Sequence, residues 1–408
     1  MPATVTQHER VGVLDVLRGI ALLGMFLVHF SDRSAGGGAA GALYEKIVWL
    51  FFEERFWAMF GILFGVGFAI QFRRADARGE PYVAKYLRRM AGLAVFGFIA
   101  HAIFGFNVLL GYAFWGIVLI LFRNWPTTAL IAALILSASS GSIYAVTRAA
   151  YGVAQQGEAS YRAERKAVAA SNAAFNEANG TAQESTSYAT VFKARLQHMR
   201  WFYAQWFSFL PVNTLTLFLL GLIGLRLGIF DRPEEHRRLI VALMAFGIAS
   251  WAATLWLVPS APANPGSNLV RELVVARAYG GFGLIRGMWL TFTYIGVVLL
   301  LVASNPAWLA RLGVFGYTGR MALTNYMIQI AILDLLFSMY ALGIAITPLV
   351  GLVAGITLFL IDAGFSKWWL SRFRYGPLEW MWRSITYWRQ LGAVPLTLPS
   401  NAEHAGGG

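Results

Sequence analysis

The fold is decided by the stretch RVGVLDVLRGIALLGMFLVHF, residues 10–30. As a helix it is long enough to cross the hydrocarbon core of a bilayer, about 30 Å, yet it contains Asp15, Arg18 and His29. Asp15 and Arg18 are three residues apart and can pair on one helix face. His29 returns to nearly the same face roughly 16 Å further along the axis. Because ionisable groups are costly in lipid, this face is predicted to line a bundle interior or a wet cavity.

The composition extends this interpretation to the whole chain. Of its 408 residues, 58% are hydrophobic and only 13% are charged, whereas soluble domains are about one-quarter charged. Long apolar runs recur, which predicts an all-α, polytopic integral membrane helix bundle. The absence of cysteine excludes disulfides, thiolate metal sites and cysteine nucleophiles. The net charge of +13 is attributed to loop bias, because nucleic-acid binding would need a soluble basic domain, and the sequence contains none.

About ten transmembrane helices are predicted, and they divide the chain into four parts. Residues 1–147 and 206–366 each form a membrane bundle of about five spans. Residues 148–205 form a long loop outside the membrane, ending in an amphipathic, aromatic helix at the interface. Residues 367–408 form a cytoplasmic tail. The predicted spans are 11–30, 50–72, 87–104, 107–123, 127–147, 206–228, 238–258, 281–303, 319–341 and 345–366.

Lysine and arginine in the short loops predict the orientation. With a cytoplasmic N-terminus, the inner loops include the basic stretch 73–89. The short outer loops then contain only Arg33, Lys46, Arg271 and Arg277, as the positive-inside rule requires. An even number of spans places both termini in the cytoplasm.

Two histidines are candidate proton-transfer residues. His29 closes the first span and His101 lies near the end of the third, so both are predicted near the outer leaflet. Imidazole titrates near neutral pH, which suits a general base. Structural roles for these residues stay open. In one, Arg18 snorkels to the inner surface while His29 caps its helix at the outer interface. In the other, His101 is a buried histidine that forms a hydrogen bond with a backbone carbonyl. No carboxylate–histidine cluster has metal-ligand spacing, so no metal is predicted.

Two further groups of residues are candidate binding elements. In GVFGYTGRMALTNYMIQ, residues 313–329, Arg320 is placed to meet phosphate near a helix N-terminus, or it serves as a topology anchor. Asn325 and Gln329 are four residues apart and share a face of that helix. Arg88 and Arg89 are either part of a charge run facing lipid headgroups or a docking surface for an anionic nucleotide.

Together these motifs resemble the bacterial YeiB-like inner-membrane family, and the resemblance runs nearly end to end. It implies a multi-pass protein of the bacterial plasma membrane. The matching segments are RVGVLDVLRGIALLGMFLVHF, RFWAMFGILFGVGFAIQF, GLAVFGFIAHAIFGFNVLLGYA, LLGLIGLRLGIFDRPEEHRR, LGVFGYTGRMALTNYMIQ and YGPLEWMWRSITYW.

The architecture of that family resembles the transmembrane acyltransferases, which include the acyltransferase 3 proteins and the lysosomal heparan-glucosaminide acetyltransferase. These enzymes pass an acyl group from cytoplasmic acyl-CoA through the bundle to an acceptor on the far side. Acyltransferase 3 proteins have an arginine, ten residues and then a histidine in the first span, a spacing that Arg18 and His29 reproduce. The chain departs from YeiB-like sequences at two positions, where His29 replaces a common asparagine and Asn107 replaces a common aspartate.

The resemblance implies an acyltransferase that uses acetyl-CoA or another acyl-CoA as co-substrate, with an acceptor hydroxyl or amine at the outer side. Membrane lipid and acyl-CoA are the predicted partners, nucleic acid is not, and a homodimer is left open. The resemblance implies that the nucleotide of acyl-CoA docks near Arg88, Arg89 and Arg320 and that the pantetheine arm passes Asp15 and Arg18. The implied proton acceptor is His29 or His101. The implied oxyanion-stabilising residue is Asn325 or Gln329.

Two alternatives are left open, and the first of them explains the buried charges equally well. The first is a transporter or exporter of a small anion or lipid precursor, although the sequence shows no convincing internal repeat of the kind that many transporters have. The second is a scaffold or binding module without catalytic activity.

Overall fold

The chain folds as a bundle of helices in the computed structural model, which describes residues 7–106, 108–209, 213–257 and 269–387. Regular structure in these ranges is helical, so the predicted all-α membrane bundle is confirmed. The helices are α1 (Gln7–Asp32), α2 (Gly38–Phe51), α3 (Arg55–Asp76), α4 (Val83–Phe104), α5 (Val108–Leu119), α6 (Thr127–Gln156), α7 (Glu158–Gln183), α8 (Tyr188–Phe209), α9 (Asn213–Arg226), α10 (Arg237–Leu257), α11 (Leu269–Ser304), α12 (Ala307–Arg311), α13 (Gly313–Arg320), α14 (Ala322–Phe337), α15 (Pro348–Leu370) and α16 (Pro377–Tyr387).

Several helices have the length and composition of membrane spans. Within the described residues, five helical stretches qualify, and α13 with α14 forms a sixth that is bent by 85°. Shorter apolar helices lie at Val108–Phe122, Thr214–Arg226 and Trp289–Ser304. The ten span limits and the division into two membrane bundles stay predictions. The five stretches are Gly12–Asp32, Gly38–Asp76, Val83–Phe104, Thr127–Gln156 and Pro348–Leu370.

Glycines bring two pairs of helices into backbone contact. A Cβ added at Gly19 of α1 would collide with the carbonyl oxygen of Phe315, and one at Gly319 of α13 would collide with that of Asp15. Gly65 of α3 and Gly221 of α9 make a similar contact. Small residues at helix interfaces allow this close approach in membrane proteins. The α1–α13 contact brings the backbone of Asp15 against the residue that precedes Arg320.

The segment predicted as an outer loop is almost entirely helical. Helix α6 continues to Gln156, α7 turns back along it, and α8 packs on α4. Tyr161 of α7 is buried against Ala149 of α6. The side chain of Glu158 accepts a hydrogen bond from the backbone nitrogen of Leu269, 3.1 Å away, at the start of α11. These contacts join the segment 148–205 to both halves of the chain.

Candidate functional site

A cavity of ≈ 710 Å³ lies between α1, α3, α4, α5, α14 and α16. Its volume falls within the range of about 300–1,000 Å³ that is typical of small-molecule sites. It follows α3 from Trp57 to Arg74, a distance of about 25 Å along the helix axis. The length of the cavity along α3 is thus close to the thickness of a bilayer core, about 30 Å.

Arginine dominates one end of this cavity, which we call the basic end. Seven arginines and two carboxylates line the cavity within the described residues. Such a surplus of positive charge favours an anionic ligand, and guanidinium groups match phosphate geometry. The arginines are Arg18, Arg74, Arg78, Arg89, Arg320, Arg374 and Arg383, and the carboxylates are Asp15 and Glu379.

Asp15 and Arg18 form an ion pair on the wall of the cavity. Arg18 Nη1 donates to Asp15 Oδ1 over 2.6 Å. Asp15 is buried, whereas 30% of the Arg18 side chain is exposed. Arg320 also lines the cavity and is itself exposed. The predicted stripe of α1 and the predicted arginine of the 313–329 segment thus meet at the basic end.

Only one of the two neighbouring arginines of α4 reaches the cavity. The guanidinium group of Arg89 lies 3.6 Å from the centre of the Trp382 ring, a cation–π arrangement. Trp382 Nε1 in turn donates to the backbone oxygen of Arg89 over 2.7 Å. Arg88 is exposed and does not belong to the lining. Of the two arginines predicted to dock the nucleotide, the structure thus brings Arg89 to the cavity and leaves Arg88 outside its lining.

His29 lies beyond the opposite end of the cavity, which we call the deep end. Met25 lines the cavity, and His29 follows Met25 by one turn on the same helix face. The His29 ring lies 5.0 Å from the ring of Phe106. Its Nδ1 is 3.3 Å from Nε2 of Gln329, which is fully buried in α14. Helices α1 and α14 thus bring together two polar residues that are 300 positions apart in the chain.

The Gln329 amide can control the protonation of the His29 ring. When its Nε2 donates to His29 Nδ1, the ring proton is placed on Nε2, and that nitrogen cannot accept a proton. Rotation of the amide presents Oε1 to an Nδ1–H group, which leaves His29 Nε2 free to act as a base. Gln329 Oε1 has no hydrogen-bond partner among the described residues, so it is available for this role or for a substrate donor.

Asn325 has a different position from Gln329. Its Nδ2 donates to the backbone oxygen of Thr318 over 3.1 Å and to Ser366 Oγ over 2.8 Å. These bonds hold the bend between α13 and α14 against α15. Because both donors of the amide are used, only the acceptor Oδ1 remains, and an acceptor does not stabilise an oxyanion. Of the two predicted amides, Gln329 is the one beside His29.

His101 lies in a separate cluster between α4 and α8. It is 1% exposed, and its Nε2 is 3.4 Å from Nδ1 of His198. The ring of Tyr203 lies 5.8 Å away, and burial lowers the pKa of His198. The structure thus pairs His29 and His101 with different partners. Asn107, the other residue considered beside His101, lies outside the described residues.

Helix α16 supplies a carboxylate that the sequence analysis did not identify. Glu379 accepts hydrogen bonds from the backbone nitrogens of Leu323 and Thr324, at 2.7 and 3.0 Å, and from Thr324 Oγ1, at 2.6 Å. A negative charge is stabilised at a helix N-terminus, here that of α14. Burial raises the pKa of the Glu379 carboxyl above its ordinary value. A sequence signal exists, because Glu379, Arg383 and Tyr387 recur every four residues and line the cavity together.

A second missed group lies beyond the deep end. Arg195 of α8 forms a buried ion pair with Asp334 of α14, with 2.5 Å between Nη2 and Oδ1. Ser338 Oγ donates to Asp334 over 2.6 Å, and the Tyr340 hydroxyl also donates to that carboxylate. Arg195 Nη1 donates to the backbone oxygen of Ile103. These bonds fix α8 to the helix that contains Gln329.

Two family models match separate parts of the chain. The model described as "Protein of unknown function (DUF418)" matches residues 224–389. The model described as "Heparan-alpha-glucosaminide N-acetyltransferase, catalytic" matches residues 10–175, which include His29 and most of the helices that line the cavity. No solved structure matches the chain. In the described residues, no group of three or more histidine, aspartate or glutamate side chains could hold a metal ion.

Three curated relatives match along almost the whole chain. The uncharacterized protein YxaH of Bacillus subtilis is 30% identical and covers 93% of this chain and 95% of its own length. An uncharacterized 39.9 kDa protein of Bacillus acidopullulyticus is 27% identical over 97% of this chain and 98% of its own. The uncharacterized protein YeiB of Escherichia coli is 25% identical, covering 93% and 96%. The chain is therefore a member of the YeiB-like DUF418 family of multi-pass membrane proteins, with an acetyltransferase-related N-terminal half.

Proposed function

We propose that the chain is a membrane acyltransferase that moves an acyl group, expected to be acetyl, from acyl-CoA to a hydroxyl or amine on the other side of the membrane. The observation that carries the proposal is the cavity of about 25 Å that joins the arginines of the basic end to the neighbourhood of His29 and Gln329. The match of residues 10–175 to an acetyltransferase model supports the same reaction.

The donor fits the cavity in one direction. The arginines of the basic end bind the phosphates of the nucleotide, and Arg89 and Arg320 belong to them. The pantetheine arm passes Asp15 and Arg18 and then the apolar wall formed by Phe60 and Phe64. This places the thioester near the deep end. A bacterial plasma membrane with both termini in the cytoplasm puts the basic end where acyl-CoA is found.

The reaction combines one acyl transfer with two proton transfers, first to His29 and then from His29 to the leaving thiolate. His29 Nε2 takes the proton of the acceptor hydroxyl or amine while its oxygen or nitrogen attacks the thioester carbonyl. The tetrahedral intermediate collapses, the carbon–sulfur bond breaks, and the thiolate of coenzyme A leaves and takes up the proton. With its amide rotated so that Oε1 accepts from Nδ1–H, Gln329 holds the imidazole in the tautomer that accepts a proton at Nε2. A route in which His29 itself is acylated first uses the same two residues.

Binding of radiolabelled acetyl-CoA to the purified protein in detergent, with unlabelled CoA as competitor, tests the donor. We expect saturable binding that Arg18→Ala weakens. Arg311→Ala is the control, because Arg311 stacks on Trp308 and does not line the cavity. Binding that is equal in both variants, or absent in the folded wild-type protein, would contradict the proposal.

Transfer is tested with His29→Ala in membrane vesicles that receive labelled acetyl-CoA. We expect the variant to bind the donor as the wild type does but to transfer no label to the envelope fraction. Full transfer by the folded variant would remove His29 from the mechanism.

A transporter of a small anion or lipid precursor is the second candidate. The 85° bend between α13 and α14 favours it, because broken helices beside a central cavity are common in transporters. Flux of an anion across proteoliposomes without acyl-CoA would support this candidate, and acetyl transfer without flux would exclude it.

A further inference from the structure

One face of the C-terminal helix α16 forms a wall of the cavity at its basic end. Glu379, Arg383 and Tyr387 follow one another at intervals of four residues, and all three line the cavity. Residues at this spacing share a helix face. The tail that follows the last membrane span thus turns back onto the bundle and presents a charged and aromatic face to the ligand space.

Hydrogen bonds to two other helices fix the position of α16. Glu379 accepts three bonds from Leu323 and Thr324 at the start of α14, and the backbone nitrogen of Leu378 donates to Thr324 Oγ1 over 3.0 Å. Trp382 donates to the backbone of Arg89 on α4. A helix that merely rests on lipid headgroups has no need of such specific bonds. Helix α16 is therefore held in a defined position as one wall of the cavity.

Two guanidinium–aromatic pairs lie at this wall of the cavity. The Arg383 guanidinium lies 4.3 Å from the centre of the Tyr375 ring, and Arg89 lies 3.6 Å from that of Trp382. Tyr387 also lines the cavity and is 41% exposed. Flat rings and guanidinium planes stack on nucleobases whatever the base sequence. The wall therefore has the surface chemistry of a base-binding site.

Phosphate-binding groups lie across the same cavity. Arg74 and Arg320 line it and are exposed, and Arg320 also interacts electrostatically with Asp15. Exposed guanidinium groups beside an aromatic wall match a ligand with a planar base at one end and phosphates next to it. A simple inorganic anion would use the arginines and leave the aromatic rings without a role.

We infer that α16 binds the nucleotide base of the acyl donor while Arg74 and Arg320 bind its phosphates. The inference rests on the proposed function for the identity of the donor, but the base and phosphate chemistry rests on the cavity wall itself. Helix α16, which lies outside the region that matches the acetyltransferase model, would then supply the base-binding part of the donor site.

Competition with fragments of the donor tests this inference. The protein is loaded with labelled acetyl-CoA, and adenosine 3′,5′-bisphosphate or pantetheine is added as the competitor. The concentration of each competitor that displaces the label gives its affinity. Arg383→Ala and Tyr387→Ala are each expected to lower the affinity for the bisphosphate by about 5- to 150-fold, as loss of one stacking contact predicts. The affinity for pantetheine is expected to stay unchanged. Arg372→Ala is the matched control, because Arg372 lies in the same tail but stacks on Trp368 outside the cavity.

Conservative variants separate stacking from charge and guard against misfolding. Tyr387→Phe keeps the ring and is expected to keep wild-type affinity for the bisphosphate. Arg383→Lys keeps the charge but loses the planar group and is expected to weaken binding. The inference would be overturned if the wild type, Arg383→Ala and Tyr387→Ala had equal affinity for the bisphosphate. It would also be overturned if the two alanine variants lost affinity for pantetheine as strongly as for the bisphosphate.

The outcomes also separate this inference from the proposed function. If acetyl-CoA binds and the α16 variants bind it normally, the inference fails and the proposed function stands. If labelled adenosine 3′,5′-bisphosphate binds directly and needs Arg383, but acetyl-CoA binds no better than the bisphosphate and no acetyl is transferred, the inference stands and the proposed function fails. If the folded wild type binds neither, both fail.

Discussion

At the scale of single residues, Gln329 has the most direct influence on the proposed chemistry. It is fully buried, touches the ring of His29, and keeps one acceptor atom without a partner. An unpaired buried acceptor is costly, because it has lost water without gaining a hydrogen bond. Such a cost is acceptable at a site where a substrate or a rotated amide supplies the missing donor.

Replacement of Gln329 by methionine should therefore slow catalysis more than it weakens binding. The substitution keeps the size of the side chain but leaves His29 without its orienting partner, so kcat for acetyl transfer should fall by about 10- to 1,000-fold. The KM for acetyl-CoA should stay within a few-fold. Gln183→Met is the control, because Gln183 lies in α7 and donates to Asn179, far from His29 in the chain. An unchanged kcat would show that His29 does not depend on Gln329.

Glu379 makes the stability of the protein depend on pH. Burial raises the pKa of this carboxyl above its ordinary value of 4.5, so the folded chain keeps a proton over a pH range in which the unfolded chain has lost it. The free energy of unfolding must then fall as the pH rises from 4.5 towards the raised pKa. Glutamine at this position does not titrate. The Tm of Glu379→Gln minus that of the wild type should thus increase between pH 4.5 and neutrality.

Glu80 provides a control of opposite sign for this measurement. Hydrogen bonds from Lys85 and Arg78 lower the pKa of the Glu80 carboxyl, so its contribution to stability is present above the ordinary pKa and is lost in acid. Thermal unfolding of Glu80→Gln in the same detergent should show the reverse trend with pH, and a small one, because Glu80 is at the surface. A Tm difference for Glu379→Gln that is constant with pH would contradict the first prediction.

At the scale of helices, the long segment between the two halves of the chain is tied to the proposed site through α8. Arg195 crosses from α8 to Asp334, which lies five residues after Gln329 on α14. Removal of one partner leaves an uncompensated buried charge, whereas removal of both does not. Stability should thus respond to the pair and not to its members separately.

Arg195→Met alone should lower the free energy of unfolding by about 3–5 kcal/mol, and Arg195→Met with Asp334→Leu should lower it by less. Denaturant unfolding of the detergent-solubilised protein measures both. The exposed ion pair between Arg162 and Glu158 is the comparison, and Arg162→Met should cost no more than about 1 kcal/mol. A double variant as unstable as the sum of its single variants would indicate that the two side chains act independently.

At the scale of the whole molecule, the proposed orientation can be measured directly, because the natural chain contains no cysteine. A single cysteine at Arg78, in the basic stretch, should react with a membrane-impermeant maleimide only after the cells are opened. A single cysteine at Ala170, in the exposed part of α7, should react in intact cells. Labelling of position 78 in intact cells would reverse the topology and move the basic end to the outside.

The sequence was sufficient for those features of the fold and site that depend on local geometry. The spacing of Asp15, Arg18 and His29 on one helix predicted a polar stripe, and the cavity follows that stripe to Met25, one turn before His29. The contacts of Gln329 with His29 and of Glu379 with Thr324 could not be predicted in this way. Helical periodicity shows which face of a helix is polar, but not which distant helix packs against it.

The length of α6 has a consequence for one surface of the membrane. A helix of 30 residues measures about 45 Å, whereas the hydrocarbon core of a bilayer is about 30 Å thick. If α6 is only slightly tilted, two or three of its turns stand clear of the lipid and raise the α6–α7 elbow well above the headgroups. Contacts of Tyr161 and Glu158 hold that elbow in place, so it would then form a rigid projection into water. A small domain fused at Gly157 would move with the membrane helices, which would make it a suitable marker for electron microscopy.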